Sequence, residues 1–268
     1  MKLKNLAVIT CLFAVLMFAY ACGRKAPEHI GFSNLGPPVI LPKHVSHADL
    51  DPAAEKDSAV IVILPATEQY YVGANQFPKD EVGEKVSRLL AGTAESNRVV
   101  YIRAGYSLDY GQVANVISSL RKVGVTRFGL SVESPAGAGG PRVLHVQIPA
   151  EPNDNDDLSK LKPNPLTLVV SIAKDLKLKL NQESAGEASE PTKLTQMLAE
   201  VLQKRKEQQV FKSGTETRND LTEDERVEKT IVVKAQRSTR YADVVAVIDA
   251  VKGAGGNPIV LQIDDLSD

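Results

Sequence analysis

VVYIRAGYSLDYGQVANVISSLRKVGVTRFGLSVE, residues 99–133, aligns without a gap on TIVVKAQRSTRYADVVAVIDAVKGAGGNPIVLQID, residues 230–264. Eight of the 35 aligned positions are identical: Ala104/Ala235, Ser107/Ser238, Tyr110/Tyr241, Val113/Val244, Val116/Val247, Ile117/Ile248, Gly124/Gly255 and Leu130/Leu261. In each copy an apolar run gives way to apolar residues at i, i+3, i+4 and i+7, then to a glycine and a second apolar run. That order is a strand, an amphipathic helix stopped by glycine, and a strand.

A strand–helix–strand unit alone is common, so the upstream match carries the argument for duplication. Val39-Ile40-Leu41-Pro42 corresponds to Val146-Gln147-Ile148-Pro149, and each is followed by a polar stretch and an apolar run, residues 60–64 or 166–172. Pro42 lies 20 residues before Val62 and Pro149 lies 21 before Val170. Two near-equal modules suit a chain of 268 residues.

Between those landmarks the first module shows strands at 60–64 and 69–72, a helix carrying Val82, Val86, Leu89 and Leu90, a strand at 98–104, a helix carrying Val113, Val116, Ile117 and Leu120, and a strand at 127–132. The second repeats it with strands at 166–172, 176–180, 230–234 and 259–263, and helices carrying Leu194, Met197, Leu198, Val201 and Leu202, then Val244, Val247, Ile248 and Val251. The expected fold is α+β: two tandem ββαβαβ modules, each a small sheet with two helices on one face, because two amphipathic helices can bury their stripes only against the sheet. The expected domains are 39–133 and 146–268, joined by a linker over 134–145 whose Gly-rich part is SPAGAGG, residues 134–140. One polar stretch, KSGTETRNDLTEDER at 212–226, has no counterpart in the first module and reads as a mobile loop.

The N-terminus differs from the rest. Lys2 and Lys4 precede an uncharged apolar run over 6–21, followed by Cys22-Gly23-Arg24-Lys25. This is an export signal or membrane anchor over 1–22, with a Gly/Pro/Ser-containing tether over 23–38. Its 16 apolar residues fall just short of a bilayer span, which favours cleavage. Ala19-Tyr20-Ala21-Cys22 resembles a bacterial lipobox, which makes Cys22 the candidate lipidation site; a retained single-pass anchor and a soluble secreted form are the alternatives. Cys11, the other cysteine, lies inside the apolar run, so the exported body has no disulfide framework.

Composition narrows the function. A net charge of −1 supplies no basic footprint for nucleic acid. The absence of Trp, with 5% aromatic residues, argues against an aromatic ligand pocket, while 43% hydrophobic residues is ample for aliphatic cores.

With the repeat unit laid out, the chain resembles the ExbD/TolR family of biopolymer transport proteins, single-pass components of ion-driven motors in the bacterial envelope. IRAGYSLDYGQVANVISSLRKVGVTRFGLSVE is similar to the family's closing strand–helix–strand, ILPK at 40–43 to the proline motif after its membrane helix, and VIVILPATEQYYVGANQF at 60–77 to its first hairpin. The resemblance implies a non-catalytic role on the periplasmic side of the envelope, with an ExbB/TolQ-like membrane subunit, a TonB-like protein or peptidoglycan as partner. It also implies that the tandem modules form an intramolecular pseudo-dimer, since family members pair through this domain. Three departures stand out. The apolar run 6–21 contains no acid, where the family carries an aspartate that takes part in ion movement; Gly105 and Gln236 stand where the family has an aspartate after the third-strand Ala; and there are two modules instead of one. Without that intramembrane carboxylate the chain is not expected to conduct ions itself.

Few side chains qualify as sites. Tyr110 and Tyr241 occupy the same place in each copy, at the start of the second helix. They are the candidate partner-binding residues, against the plainer reading that each ring caps the core with its hydroxyl at the surface. His44 and His47 are three residues apart but lack a third metal ligand, and the acidic NDNDD at 153–157 lacks the glycine and glutamate of a calcium loop, so no metal is assigned. His145 lies in a strand or linker; Ser, His and Asp residues form no catalytic constellation, and no cofactor is expected.

Overall fold

A computed structural model describes residues 36–43, 45–135, 137, 139–151 and 164–267, all within one unit spanning 32–268. The first module begins with a two-residue strand, β1 (Asp49–Leu50), and a 3-10 turn at Pro52–Glu55. Then come β2 (Val60–Leu64), β3 (Tyr70–Val72), β4 (Asn75–Phe77), α1 (Lys79–Leu89), β5 (Val100–Ala104), α2 (Tyr110–Arg121) and β6 (Arg127–Val132). β7 (Arg142–Gln147) leads to the second module: β8 (Leu168–Ile172), β9 (Lys177–Leu180), β10 (Glu183–Glu187), α3 (Thr192–Glu207), α4 (Glu223–Arg226), β11 (Ile231–Ala235), α5 (Tyr241–Gly253) and β12 (Ile259–Leu261).

The class is α+β with two corresponding modules. The first module has two strands more than the sequence pattern shows, β1 and β4, and the second has one more, β10, because these are short, largely exposed and without apolar alternation. β4 and β10 close antiparallel against β3 and β9, behind residues held at positive φ, Gly73 (60°) and Asn181 (55°).

The two small sheets are joined edge to edge. Strand order is β10-β9-β8-β11-β12-β7-β6-β5-β2-β3-β4. Within each module three strands run parallel (β2, β5, β6; β8, β11, β12) and the hairpin is antiparallel. β7 is the joint: it is antiparallel to β6 from Arg127↔Gln147 to Val132↔Arg142, and parallel to β12 at Val260↔Gln147. Residues 134–145, expected as a linker, therefore contribute Arg142–His145 to a central strand; the signal is the alternation Leu144, Val146, Ile148, buried on the helix side, with Val143 buried on the opposite face.

One apolar core runs under the helices of both modules. It takes Val62, Ile102 and Leu130 from the first sheet, Val170, Val233 and Leu261 from the second, and the helix stripes of Ile117, Leu120, Ile248 and Val251. α2 and α5 end alike: Gly124 (φ 81°) and Gly255 (φ 93°) take the left-handed conformation, and Val125 and Gly256 donate their N–H groups to Leu120 and Val251 five residues back. The opposite face differs between modules. All of β2 is buried, since Ile61, Ile63 and Tyr101 are covered by Ala54, Ala59 and the partly buried Val39 and Ala53, whereas β8 and β11 alternate buried and half-buried residues. Asp51 caps the covering turn, its carboxylate accepting the Ala53 N–H at 2.9 Å.

The polar stretch 212–226, expected as a mobile loop, has local structure. Phe211 bridges Val227, Thr222 and Glu225 form a reciprocal capping box on α4, and Arg226 stacks over the Phe211 ring at 4.6 Å.

Candidate functional site

Where the modules meet, their contacts are reciprocal. Tyr110 N–H donates to the Thr239 carbonyl at 2.7 Å, and Tyr241 N–H donates to the Leu108 carbonyl at 2.7 Å. Gly111 N–H reaches Arg237 O at 2.9 Å, and Ala242 N–H reaches Tyr106 O at 3.1 Å. These are the same bonds read in the two directions, since 110, 111, 106 and 108 correspond to 241, 242, 237 and 239 in the repeat. An α-helix leaves its first N–H groups without intrahelical acceptors. Each second helix here finds them in the loop of the other module. The bridge between Asp109 and Arg240, themselves equivalent positions, lies at the centre.

Tyr110 and Tyr241 are each 1% exposed. Their hydroxyls are inside the protein and not at its surface, because the second module closes over the place where a single module would meet solvent. Tyr110 Oη donates to the Gln262 carbonyl at 2.8 Å, whereas Tyr241 Oη has no hydrogen-bond partner among the described residues. Burial raises the ionisation of both phenols well above the ordinary range, and for Tyr241 the nearby Tyr110 adds to it.

The segments that enter the modules cross over as well. Asp249, in the middle of α5, is 7% exposed. Its carboxylate accepts the backbone N–H groups of Ser46 (3.1 Å) and His47 (2.6 Å) and contacts His47 Nδ1 at 3.1 Å. Lys252 Nζ lies 2.6 Å from Asp49, so the arm leading into the first module is fastened to the second module's helix. On the other side Arg121 of α2, the equivalent of Lys252, forms a two-pronged pair with Asp264 (2.6 and 3.0 Å) and approaches Glu151 at 3.9 Å. Tyr106 N–H takes Ile40 O at 3.0 Å, and Arg237 N–H takes Ser267 O at 2.8 Å. Beside the arm lies a groove of about 740 Å³, lined by Ile40, Tyr106, Leu176 and the α5 residues Ala242, Ala246 and Ala250. Ile40 and Tyr106 are 65% and 41% exposed.

His47 thus serves in the arm's attachment. Among the described residues no group of His, Cys, Asp and Glu could hold a metal ion, and no helix is long and apolar enough to cross a membrane. Cys22, His44 and the acidic 153–157 stretch lie outside the described residues. Sequence reasoning missed Asp249, Lys252, Asp49, Arg121 and Asp264. One signal was present: Asp249 interrupts the Val-Val-Ala-Val-Ile run of α5, where a charge needs a partner.

The fold and seam define an α+β protein of two corresponding halves that satisfy each other's helix ends. The family model "Biopolymer transport protein ExbD/TolR" matches residues 6–134 and again 139–266. The chain is similar to the biopolymer transport protein ExbD of Neisseria gonorrhoeae, with 32% identity over 100 residues, 37% of this chain and 69% of that protein. It is similar to the ExbD of Neisseria meningitidis serogroup C at 31% over the same shares. No solved structure gives a significant match. The chain belongs to the ExbD/TolR family.

Proposed function

We propose that this chain is a non-catalytic component or accessory of an ion-driven biopolymer transport or cell-envelope energy-transduction system, working by protein–protein binding. Its N-terminus would hold it at the membrane with the body, modules 39–133 and 146–268, on the periplasmic side. The observation that carries the reading is the pair of consecutive family matches, 6–134 and 139–266, in a chain whose halves make reciprocal contacts. In this reading the chain is its own pseudo-dimer, because a short connection keeps the effective concentration of one half around the other high. The partners that follow are an ExbB/TolQ-like membrane subunit and a TonB-like protein or peptidoglycan. Purification of the tagged full chain from its native membrane tests this: an ExbB/TolQ-like subunit should accompany it, and its consistent absence under mild detergent would overturn the motor role.

A second reading, a structural envelope lipoprotein that holds peptidoglycan and has left the motor, is favoured by Ala19-Tyr20-Ala21-Cys22 and by the lack of any acid in 6–21. The intact mass of the mature protein, beside a Cys22→Ser variant, separates the two. A chain that begins at a diacylated Cys22 has lost the apolar run and favours the lipoprotein; a chain that keeps residues 1–21 favours the anchored component.

A further inference from the structure

The joint between the modules leaves a pocket of about 260 Å³, lined by Val99, Arg127, Phe128, His145, Val146, Gln147, Asn257, Pro258 and Ile259. It forms where the end of β7 lies between the start of β6 and the start of β12. Arg127 and Gln147 are register partners and so share a face of the sheet, and His145, two residues before Gln147, lies on that face too. Phe128 and Val146 point the other way, into the helix-side core. Polar side chains therefore converge on the face away from the helices.

Arg127 is half-buried. Among the described residues it is the one arginine whose side chain makes no hydrogen bond, ion pair or ring contact with another described residue. The carboxamides of Gln147 and Asn257 likewise have no partner among those residues, and no described carboxylate lines the pocket. Asp51, which contacts the pocket's His145 at Nε2 (3.4 Å), is already engaged, accepting the Tyr101 hydroxyl and the Ala53 N–H, both at 2.9 Å. A guanidinium with five donors, two primary amides and an imidazole around a small opening match the fork geometry of a planar or tetrahedral oxoanion. The volume falls below that of drug-sized ligand sites, which suits one anionic group and not a large molecule.

We infer that this inter-module pocket binds a small oxoanion, a carboxylate or phosphate group, through Arg127 with Gln147 and Asn257. A ligand seated there touches both modules and ties them together. This inference is independent of the transport reading.

The test is an NMR titration of the full chain with sodium phosphate and, separately, sodium acetate, at constant ionic strength set with chloride. Saturable shifts at the amides of Arg127, Gln147 and Asn257 are expected with at least one anion; the anion that saturates assigns the group as phosphate or carboxylate. Arg127→Gln should weaken binding by about tenfold or more. Gln147→Ala, at an exposed position, should weaken it less without disturbing the fold, and Lys122→Gln, at an exposed lysine outside the pocket, should leave it unchanged. Absence of saturation with both anions overturns the inference, as does equal affinity in the well-dispersed spectra of both pocket variants.

Discussion

Asp249 accepts the backbone N–H of His47 at 2.6 Å across 202 residues of sequence, and through that bond a helix of the second module grips the arm that enters the first. The arm contributes three contacts to this one carboxylate, two of them from backbone donors that no side-chain substitution in the arm can remove. The partly exposed Lys252–Asp49 pair adds to this grip on the same arm.

Asp249→Ala is expected to free residues 45–49 and to destabilise the protein by about 1.5–3 kcal/mol, the range for hydrogen bonds to a charged group. Hydrogen exchange should show loss of protection at Ser46 and His47, and urea unfolding should show the shift in midpoint. Asp249→Asn, which keeps one acceptor oxygen, should recover part of both.

Tyr110→Phe and Tyr241→Phe should behave differently although the residues are equivalent. Tyr110 Oη is bonded to Gln262 O, so its removal leaves a carbonyl without that donor and should cost about 1 kcal/mol. Tyr241 Oη has no described partner, so its removal should be neutral or stabilising. Chemical denaturation of the two variants, side by side, checks the asymmetry.

Spectrophotometric titration of the native protein at alkaline pH should leave Tyr101, Tyr110 and Tyr241 silent until the chain unfolds. Burial raises all three phenols, and hydrogen bonding to Asp51 raises Tyr101 further. A group raised in the folded state contributes stability that is complete below its unfolded value, about 10, and declines as pH rises above it. Unfolding should therefore become easier above about pH 10.

The pairing of Asp224 with Lys229 works in the opposite direction. A hydrogen bond from Lys229, 2.6 Å away, holds the carboxyl below its usual value, with Lys206 and Lys212 helping more weakly. Its contribution to the 212–226 excursion is present above the unfolded value, about 3.9, and lost as pH falls through the lower folded value. Lys229→Met should remove this acid sensitivity, read as hydrogen-exchange protection of α4 between about pH 5 and pH 2.

A protease site inserted between Pro135 and Pro141, away from β6 and β7, should give two fragments that stay associated through gel filtration. The reciprocal helix-end bonds and the shared core remain when the connection is cut. Separation of the fragments would count against the pseudo-dimer.

The local elements were legible along the chain. Apolar periods place the four main helices and the principal strands, and Gly124 and Gly255 end the second helices as expected, since these features depend on neighbours within one turn or one strand. β4 and β10 were not legible, since their exposed polar residues acquire strand geometry only from the hairpin they close. Arg142–His145 were absorbed into the linker because SPAGAGG dominates the composition there, while the pairing that makes a strand of them comes from β6.

The sequence by itself determined the two corresponding modules and the α+β class, which rest on periodicity and on the 35-residue internal match, and pointed to the family through the resemblance of residues 40–43, 60–77 and 102–133 to its motifs. Only the tertiary structure decided that the two sheets merge through β7, that Tyr110 and Tyr241 are buried, and that Asp249 holds the arm. Those facts depend on which surfaces meet across more than a hundred residues, as with Tyr110 and Gln262, and hydrophobic and hydrogen-bonding patterns say that a group needs a partner without saying which one.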